Sequence, residues 1–202
     1  LEDFKSKIQK NTKAVIMTHG SNVSGTVLNL EAVGTVCRER GIPFIVDAAQ
    51  TAGFLNVDMQ RLGADAVAFT GHKSLLGPQG TGGFAISDRL AEMTDTFIEG
   101  GTGSLSEMEE QPSYMPDKFE SGTPNVVGIF GLHAALCYIK KTGIEKIAAH
   151  ELEMTGRFLK ALTRIPQARL VGRRDLSWRT AVVSLDFEGM DNALIAHELS
   201  KR

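Results

Sequence analysis

The sequence predicts an α/β fold, a mostly parallel sheet with helices on both faces. Two observations carry that prediction. Short apolar runs recur at residues 14–18, 43–46 and 66–70, each closing on polar or glycine-rich residues. Between them lie stretches with apolar residues at helical spacing, such as Leu30, Val33, Val36 and Cys37. Strands that alternate with helices argue for parallel pairing, because a parallel connection needs a crossover and a helix usually supplies it.

Taken in order, residues 1–10 read as an amphipathic helix and residues 14–18 as a buried strand. A loop follows, His19-Gly20-Ser21-Asn22-Val23-Ser24-Gly25, and then a helix from Leu30 that stops at Gly41. The strand at 43–46 ends on Asp47-Ala48-Ala49-Gln50, residues 58–62 form a short helical turn, and residues 66–70 form the third strand. A fourth strand at 83–87 follows too closely for a crossover helix and is expected to run antiparallel. Residues 89–116 weaken into a glycine- and serine-rich loop, a length that is usually functional inside a compact domain. Thr123 and Pro124 then look like the cap and first position of a helix, with Ile129, Leu132, Leu136 and Ile139 at helical spacing. Gly143 breaks it, and a second helix carries Ile144 through Leu162 and ends before Pro166. Such a helix pair often bridges domains. We therefore read residues 1–165 as part of one large domain and residues 166–202 as the start of a smaller α+β domain. Residues 179–187 alternate as a half-buried strand would, and Asp191 is placed to cap the last helix. The chain opens on Leu1 and closes in a helix without a stop signal, so we expect a piece of a longer protein.

Composition narrows the class. With 202 residues, 42% hydrophobic and 23% charged, the chain can bury one sizeable core and part of another. A formal charge of -2 leaves no electrostatic footprint for nucleic acid or an anionic membrane. No apolar run nears the roughly 18 residues of a membrane span, so a soluble protein is expected. The two cysteines show no CxxC spacing and no secretory segment opens the chain, which fits a reducing, cytoplasmic setting.

The chemistry centres on the run Ala66-Val67-Ala68-Phe69-Thr70-Gly71-His72-Lys73, which delivers a lysine into the loop Gly77-Pro78-Gln79-Gly80-Thr81-Gly82-Gly83. A lysine at a strand end is a candidate Schiff base. In a parallel sheet Asp47 would share its carboxyl edge, where open α/β sheets bind ligands. An imine-forming amine must be available unprotonated, which a desolvated pocket or a neighbouring cation favours. Pyridoxal phosphate further needs an acid on its ring nitrogen, a donor near its phenolic oxygen and donors for its phosphate. Asp47, Gln50, and the pair Thr70 and His72 meet these needs.

Plainer readings compete at each position. Asp47 could cap the turn that follows it, and Asn22 could simply close a turn. Thr70-Gly71-His72-Lys73-Ser74 looks superficially like a nucleotide-binding loop, yet its glycines follow the lysine instead of preceding it. His19 reads as a satisfied structural histidine, while His133, His150 and His197 read as helix-surface residues, and none spaces as a metal site. Cys37 and Cys137 read as small core residues, and residues 107–110 as solvated.

Four segments together resemble the class V aminotransferase branch of the fold-type I pyridoxal phosphate enzymes, and within it the cysteine desulfurase and selenocysteine lyase group. They are residues 19–25, Val46-Asp47-Ala48-Ala49-Gln50, Thr70-Gly71-His72-Lys73 with Gly77-Pro78, and Phe119-Glu120-Ser121-Gly122-Thr123-Pro124-Asn125. The resemblance covers almost the whole chain and implies a cofactor-binding large domain. It makes Lys73 the imine-forming lysine, Asp47 the partner of the pyridine nitrogen, Gln50 the donor to the phenolic oxygen, and Thr70 and His72 the phosphate ligands. Asn22 is similar to the family's asparagine at the ring and substrate carboxylate. Thr123 resembles the residue that reaches the phosphate of the other subunit, which implies a homodimer with shared sites.

The reaction so implied removes sulfur or selenium from cysteine or selenocysteine and releases alanine, with a sulfur-acceptor protein as a further partner. The chain departs from the family in one respect: neither Cys37 nor Cys137 matches the family's nucleophilic cysteine. That loop, and the arginines for the substrate carboxylate, would lie beyond residue 202. The alternatives are a class V aminotransferase or another pyridoxal phosphate-dependent lyase, and a folded but inactive domain without cofactor.

Overall fold

A computed structural model describes residues 1–105 and 107–202. Strands β1 (Val15–Thr18), β2 (Phe44–Asp47), β3 (Ala66–Thr70) and β4 (Gly82–Ile86) form one sheet in that order. The first three run parallel, and β4 pairs antiparallel with β3, as the short connection between them requires.

One face of this sheet makes the core. Val15, Phe44, Val46 and Val67 pack against Leu30, Val33 and Cys37 of helix α2 (Leu30–Glu39) and Leu62 of helix α3 (Met59–Leu62). Each of the valine, leucine and phenylalanine side chains contributes about 1.5–3 kcal/mol of burial. The two helices meet closely because Gly34 has no side chain: a Cβ there would sit 1.9 Å from the Leu62 carbonyl oxygen. On the other face the register aligns Ile16, Ile45, Ala66 and Ile86, with Ala68 beside Phe84. Phe84 packs edge-on against Phe119 with ring centroids 5.7 Å apart, while Ile16 stays 70% exposed.

Further along lie α4 (Asp88–Met93) and a long helical pair, α5 (Val126–Thr142) and α6 (Ile144–Leu162), separated at Gly143. Helix α6 is amphipathic and buries Thr155, Leu159 and Leu162. Helix α5 is apolar on nearly every side, and Val127 and Phe130 are 84% and 71% exposed. The chain ends in an antiparallel pair, β5 (Ala168–Val171) with β6 (Ser184–Phe187), and α7 (Asn192–Leu199), whose cap Asp191 accepts from the amides of Ala193 and Leu194. Among the described residues no helix is long and apolar enough to cross a membrane.

Several expectations need correction. The first helix, α1 (Glu2–Lys7), is shorter than residues 1–10. Thr123 does not cap α5; Asn125 does, accepting from the Gly128 amide at 3.0 Å. Helix α4 occupies the start of the expected irregular stretch because Ser87 accepts from the Leu90 amide and caps it. The terminal strand begins only at Ser184, since the side chain of Arg179 takes the carbonyls of Thr180 and Val182 that a strand ladder would use. Cys37 is buried as expected, but Cys137 is exposed on α5, 3.6 Å from His133.

Candidate active site

Parallel strands deliver their carboxyl ends to one edge, and here they end nearly level. Thr18 lies beside Asp47, and Asp47 beside Ala68. The chain leaving β1 carries Asn22. Asp47 is the last residue of β2, with Gln50 three positions on, and Thr70 is the last residue of β3, followed by His72 and Lys73. Six of the seven residues singled out in the sequence therefore gather at one sheet edge. Thr123 stands apart: it is exposed ahead of α5, and no hydrogen bond joins it to the other six among the described residues.

The Lys73 loop is shaped by glycine and by its own backbone. The amide of Gly77 donates to the Gly71 carbonyl and that of Leu76 to the Lys73 carbonyl, both at 2.8 Å. Leu76 pays for this closure with a left-handed φ of 59°, which for a side-chain-bearing residue costs on the order of 1 kcal/mol or more. A Cβ on Gly71 would meet the Thr81 hydroxyl at 2.1 Å, and one on Gly53 would meet the Ser74 carbonyl at 2.2 Å, so the loop sits tightly on its neighbours. His72 is anchored through Nδ1 to the Thr70 hydroxyl at 2.8 Å. The Lys73 side chain is half-buried, and its amine makes no hydrogen bond or ion pair among the described residues.

Asp47 does cap its turn, since Oδ1 accepts from the Ala49 amide at 2.9 Å. That role uses one carboxylate oxygen, and the residue is exposed, so the other oxygen is open to a ligand. The capping and binding readings are thus compatible.

Beneath this exposed edge lies a buried polar layer. His19 is 8% exposed and Thr51 fully buried; His19 Nδ1 and Thr51 Oγ1 are 2.9 Å apart and share a hydrogen bond. Burial holds the His19 imidazole below its ordinary range, and the Arg61 charge acts in the same direction, so the ring is neutral at pH 7. His19 is structural, as the sequence suggested. Arg179 and Thr180 complete this layer at 1% and 3% exposure. Neither they nor Thr51 stood out in the sequence; the one available signal was a lone arginine beside the apolar run 181–183.

The donor set suits pyridoxal phosphate. A free amine, a carboxylate with one open oxygen, a side-chain amide and an anchored hydroxyl–imidazole pair share an exposed edge, which is the combination its aldehyde, ring nitrogen, phenolic oxygen and phosphate require. Among the described residues no cluster of His, Cys, Asp and Glu could hold a metal ion.

Known proteins share the sequence and fold of this chain. The family model for class V aminotransferases matches residues 1–202. A probable cysteine desulfurase of Pyrococcus abyssi is 36% identical over 189 residues, covering 92% of this chain and 46% of that relative. One of Streptomyces coelicolor is 37% identical over 188 residues, covering 91% and 44%. Among solved structures, the apo cysteine desulfurase of Thermococcus onnurineus superposes with a TM-score of 0.85 at 33% identity, over 99% of this chain and 50% of that one. A cysteine desulfurase of Escherichia coli gives 0.86 at 27% identity, over 99% and 49%. The chain spans about half the length of the curated relatives it matches. With the family model matched from end to end, the chain belongs to the class V aminotransferase family.

Proposed function

We propose that this chain carries the lysine-bearing part of the active site of a pyridoxal phosphate-dependent cysteine desulfurase that takes sulfur from cysteine and releases alanine, with selenocysteine as the related substrate. The observation that supports this most is the meeting of Lys73, Asp47, Gln50, Thr70, His72 and Asn22 at the carboxyl edge of three parallel strands. Bound there, pyridoxal phosphate supplies an electron sink for negative charge at the substrate α-carbon.

The chain's own residues do the rest. Lys73 holds the cofactor through its amine and, once released, moves the proton at the substrate α-carbon. Asp47 keeps the ring nitrogen protonated with the oxygen that Ala49 leaves open. Gln50 donates to the phenolic oxygen. His72, its ring fixed by Thr70, orients the phosphate with the threonine hydroxyl. Asn22 contacts the ring and the substrate carboxylate, and Thr123 reaches the phosphate of a second subunit in a homodimer with shared sites. In this reading residues 1–165 belong to the cofactor-binding domain and residues 166–202 begin the smaller one.

A desulfurase also needs a thiolate to accept sulfur. Cys37 is buried against the sheet and Cys137 lies on α5, so neither serves. The thiolate comes from elsewhere in the full-length protein, a sulfur acceptor follows it in a cytoplasmic setting, and the 202 residues alone are inactive.

The test uses full-length protein. Added pyridoxal phosphate gives an imine absorbance that Lys73→Ala lacks, and cysteine then yields alanine. An imine absorbance that persists in Lys73→Ala without added amine overturns the reading. Formation of a keto acid from the amino donor, with no alanine from cysteine, replaces it with an aminotransferase.

A further inference from the structure

Arginine is rarely buried without a carboxylate, because its charge loses water and needs compensation. Arg179 is 1% exposed, yet its partners are all backbone carbonyls. Nε donates to Thr180 O at 3.2 Å, Nη1 to Arg173 O at 2.5 Å and Nη2 to Val182 O at 2.6 Å. The planar guanidinium thus binds residues 173, 180 and 182 into one body, as no single-centred cation could.

That body lies against the turn that carries Asn22. Residues 20–27 fold back on themselves through a bridge from Gly20 to Val27, and the outer arm pairs with the Arg179 segment through a bridge from Thr26 to Arg179. The amide of Val27 donates to Trp178 O at 2.9 Å, that of Thr180 to Gly25 O at 2.8 Å, and the Ser184 hydroxyl bonds to Val23 O. The fit is close: a Cβ on Gly25, whose φ is 70°, would stand 2.4 Å from Val182 O, and one on Gly172 would stand 2.8 Å from Ser24 O. Asn22 is exposed and its side chain has no hydrogen-bond partner among the described residues. Its place is therefore set by the backbone on either side of it.

We propose that Arg179 is a positioning residue for the active site: by binding residues 173–182 into one body behind the turn at 21–25, it fixes the location of Asn22 at the carboxyl edge of the sheet. The proposal rests on the reading of Asn22 as a contact to cofactor and substrate. Through this clamp the segment following α6 governs a loop that follows the first strand.

The experiment uses the full-length protein and Arg179→Lys, which keeps the charge and loses the three-way reach. In the cofactor-free form, hydrogen exchange at the amides of Ser21, Gly25 and Val27 accelerates about tenfold, while Val15 and Ala48, paired within the sheet region, stay at wild-type rates. In the loaded enzyme KM for the amino acid rises about fivefold with a smaller change in kcat, and the rise disappears in an Asn22→Ala background, because the two changes act through one contact. Uniform acceleration, no acceleration at 21–27, or losses that add in the double variant each overturn the proposal. If Asn22→Ala costs affinity and Arg179→Lys does not couple to it, only the positioning role fails. If Asn22→Ala leaves both cofactor and substrate affinity at wild type, the functional reading of Asn22 fails and this proposal with it. Should Arg179→Lys not fold, Ser184→Ala, which deletes one bond to Val23, must show the same confined exchange pattern at smaller size; its absence overturns the clamp.

Discussion

Two polar layers lie at the same sheet edge and are built in opposite ways. In the inner layer, His19, Thr51, Arg179 and Thr180 are buried and bonded, and no buried side-chain nitrogen or oxygen among the described residues lacks a partner. In the outer layer, Asn22, Asp47, Gln50 and Lys73 are exposed or half-buried and leave donors and acceptors open. Buried polar groups must be satisfied by the protein because no water reaches them, whereas groups meant for a ligand must keep their bonding capacity until it arrives. Position at the edge is shared; the two layers differ in how much of each side chain's bonding capacity is already used.

This contrast predicts which changes strike activity and which strike stability. Lys73→Ala in the full-length enzyme should lower turnover by about a thousandfold or more, near 4 kcal/mol in barrier, while the denaturation midpoint barely moves. A large loss of stability would mean that Lys73 belongs to the inner layer. Asp47→Ala should leave cofactor attachment intact and slow turnover about a hundredfold, with a small stability loss from the missing turn cap, read by steady-state kinetics beside urea unfolding. Thr51→Val should do the reverse. It strands the buried His19 nitrogen and costs about 1–3 kcal/mol by urea unfolding, with kcat within about twofold of wild type.

The smallest effect is a pH dependence from His19. Its folded pKa lies below the unfolded value of 6.5, so the unfolded chain binds the proton more readily. The stability contributed by the neutral, buried ring is present above pH 6.5 and is lost as pH falls from there toward the folded value. Comparing unfolding midpoints at pH 7.5 and about pH 5 in wild type and His19→Gln should show a smaller acid loss in the variant. An equal loss would place the pH sensitivity elsewhere.

The outer layer was the more legible in the sequence. Asp47 and Lys73 each follow an apolar run, and strand ends are visible as changes of polarity, so the shared edge follows from the parallel topology. Gly41 and Gly143 likewise marked helix ends, where positive φ of 65° and 93° excludes most other residues. The inner layer was not legible because its partners are distant in the chain: Thr51 finds His19 32 positions away, and Thr180 finds Gly25 155 positions away. Residues 179–183 looked like a strand by alternation, and no local pattern reveals that the carbonyls are taken by an arginine side chain. Thr123 was misread as a cap because Asn125, an equally good capping residue, lies two positions on.

The apolar girth of α5 has a practical consequence. A helix that shows valine and phenylalanine to water at 84% and 71% exposure gives the isolated 202-residue chain an adhesive surface. Produced on its own, it should bind hydrophobic dyes while fully folded, and replacing Val127 and Phe130 with polar residues should weaken that binding.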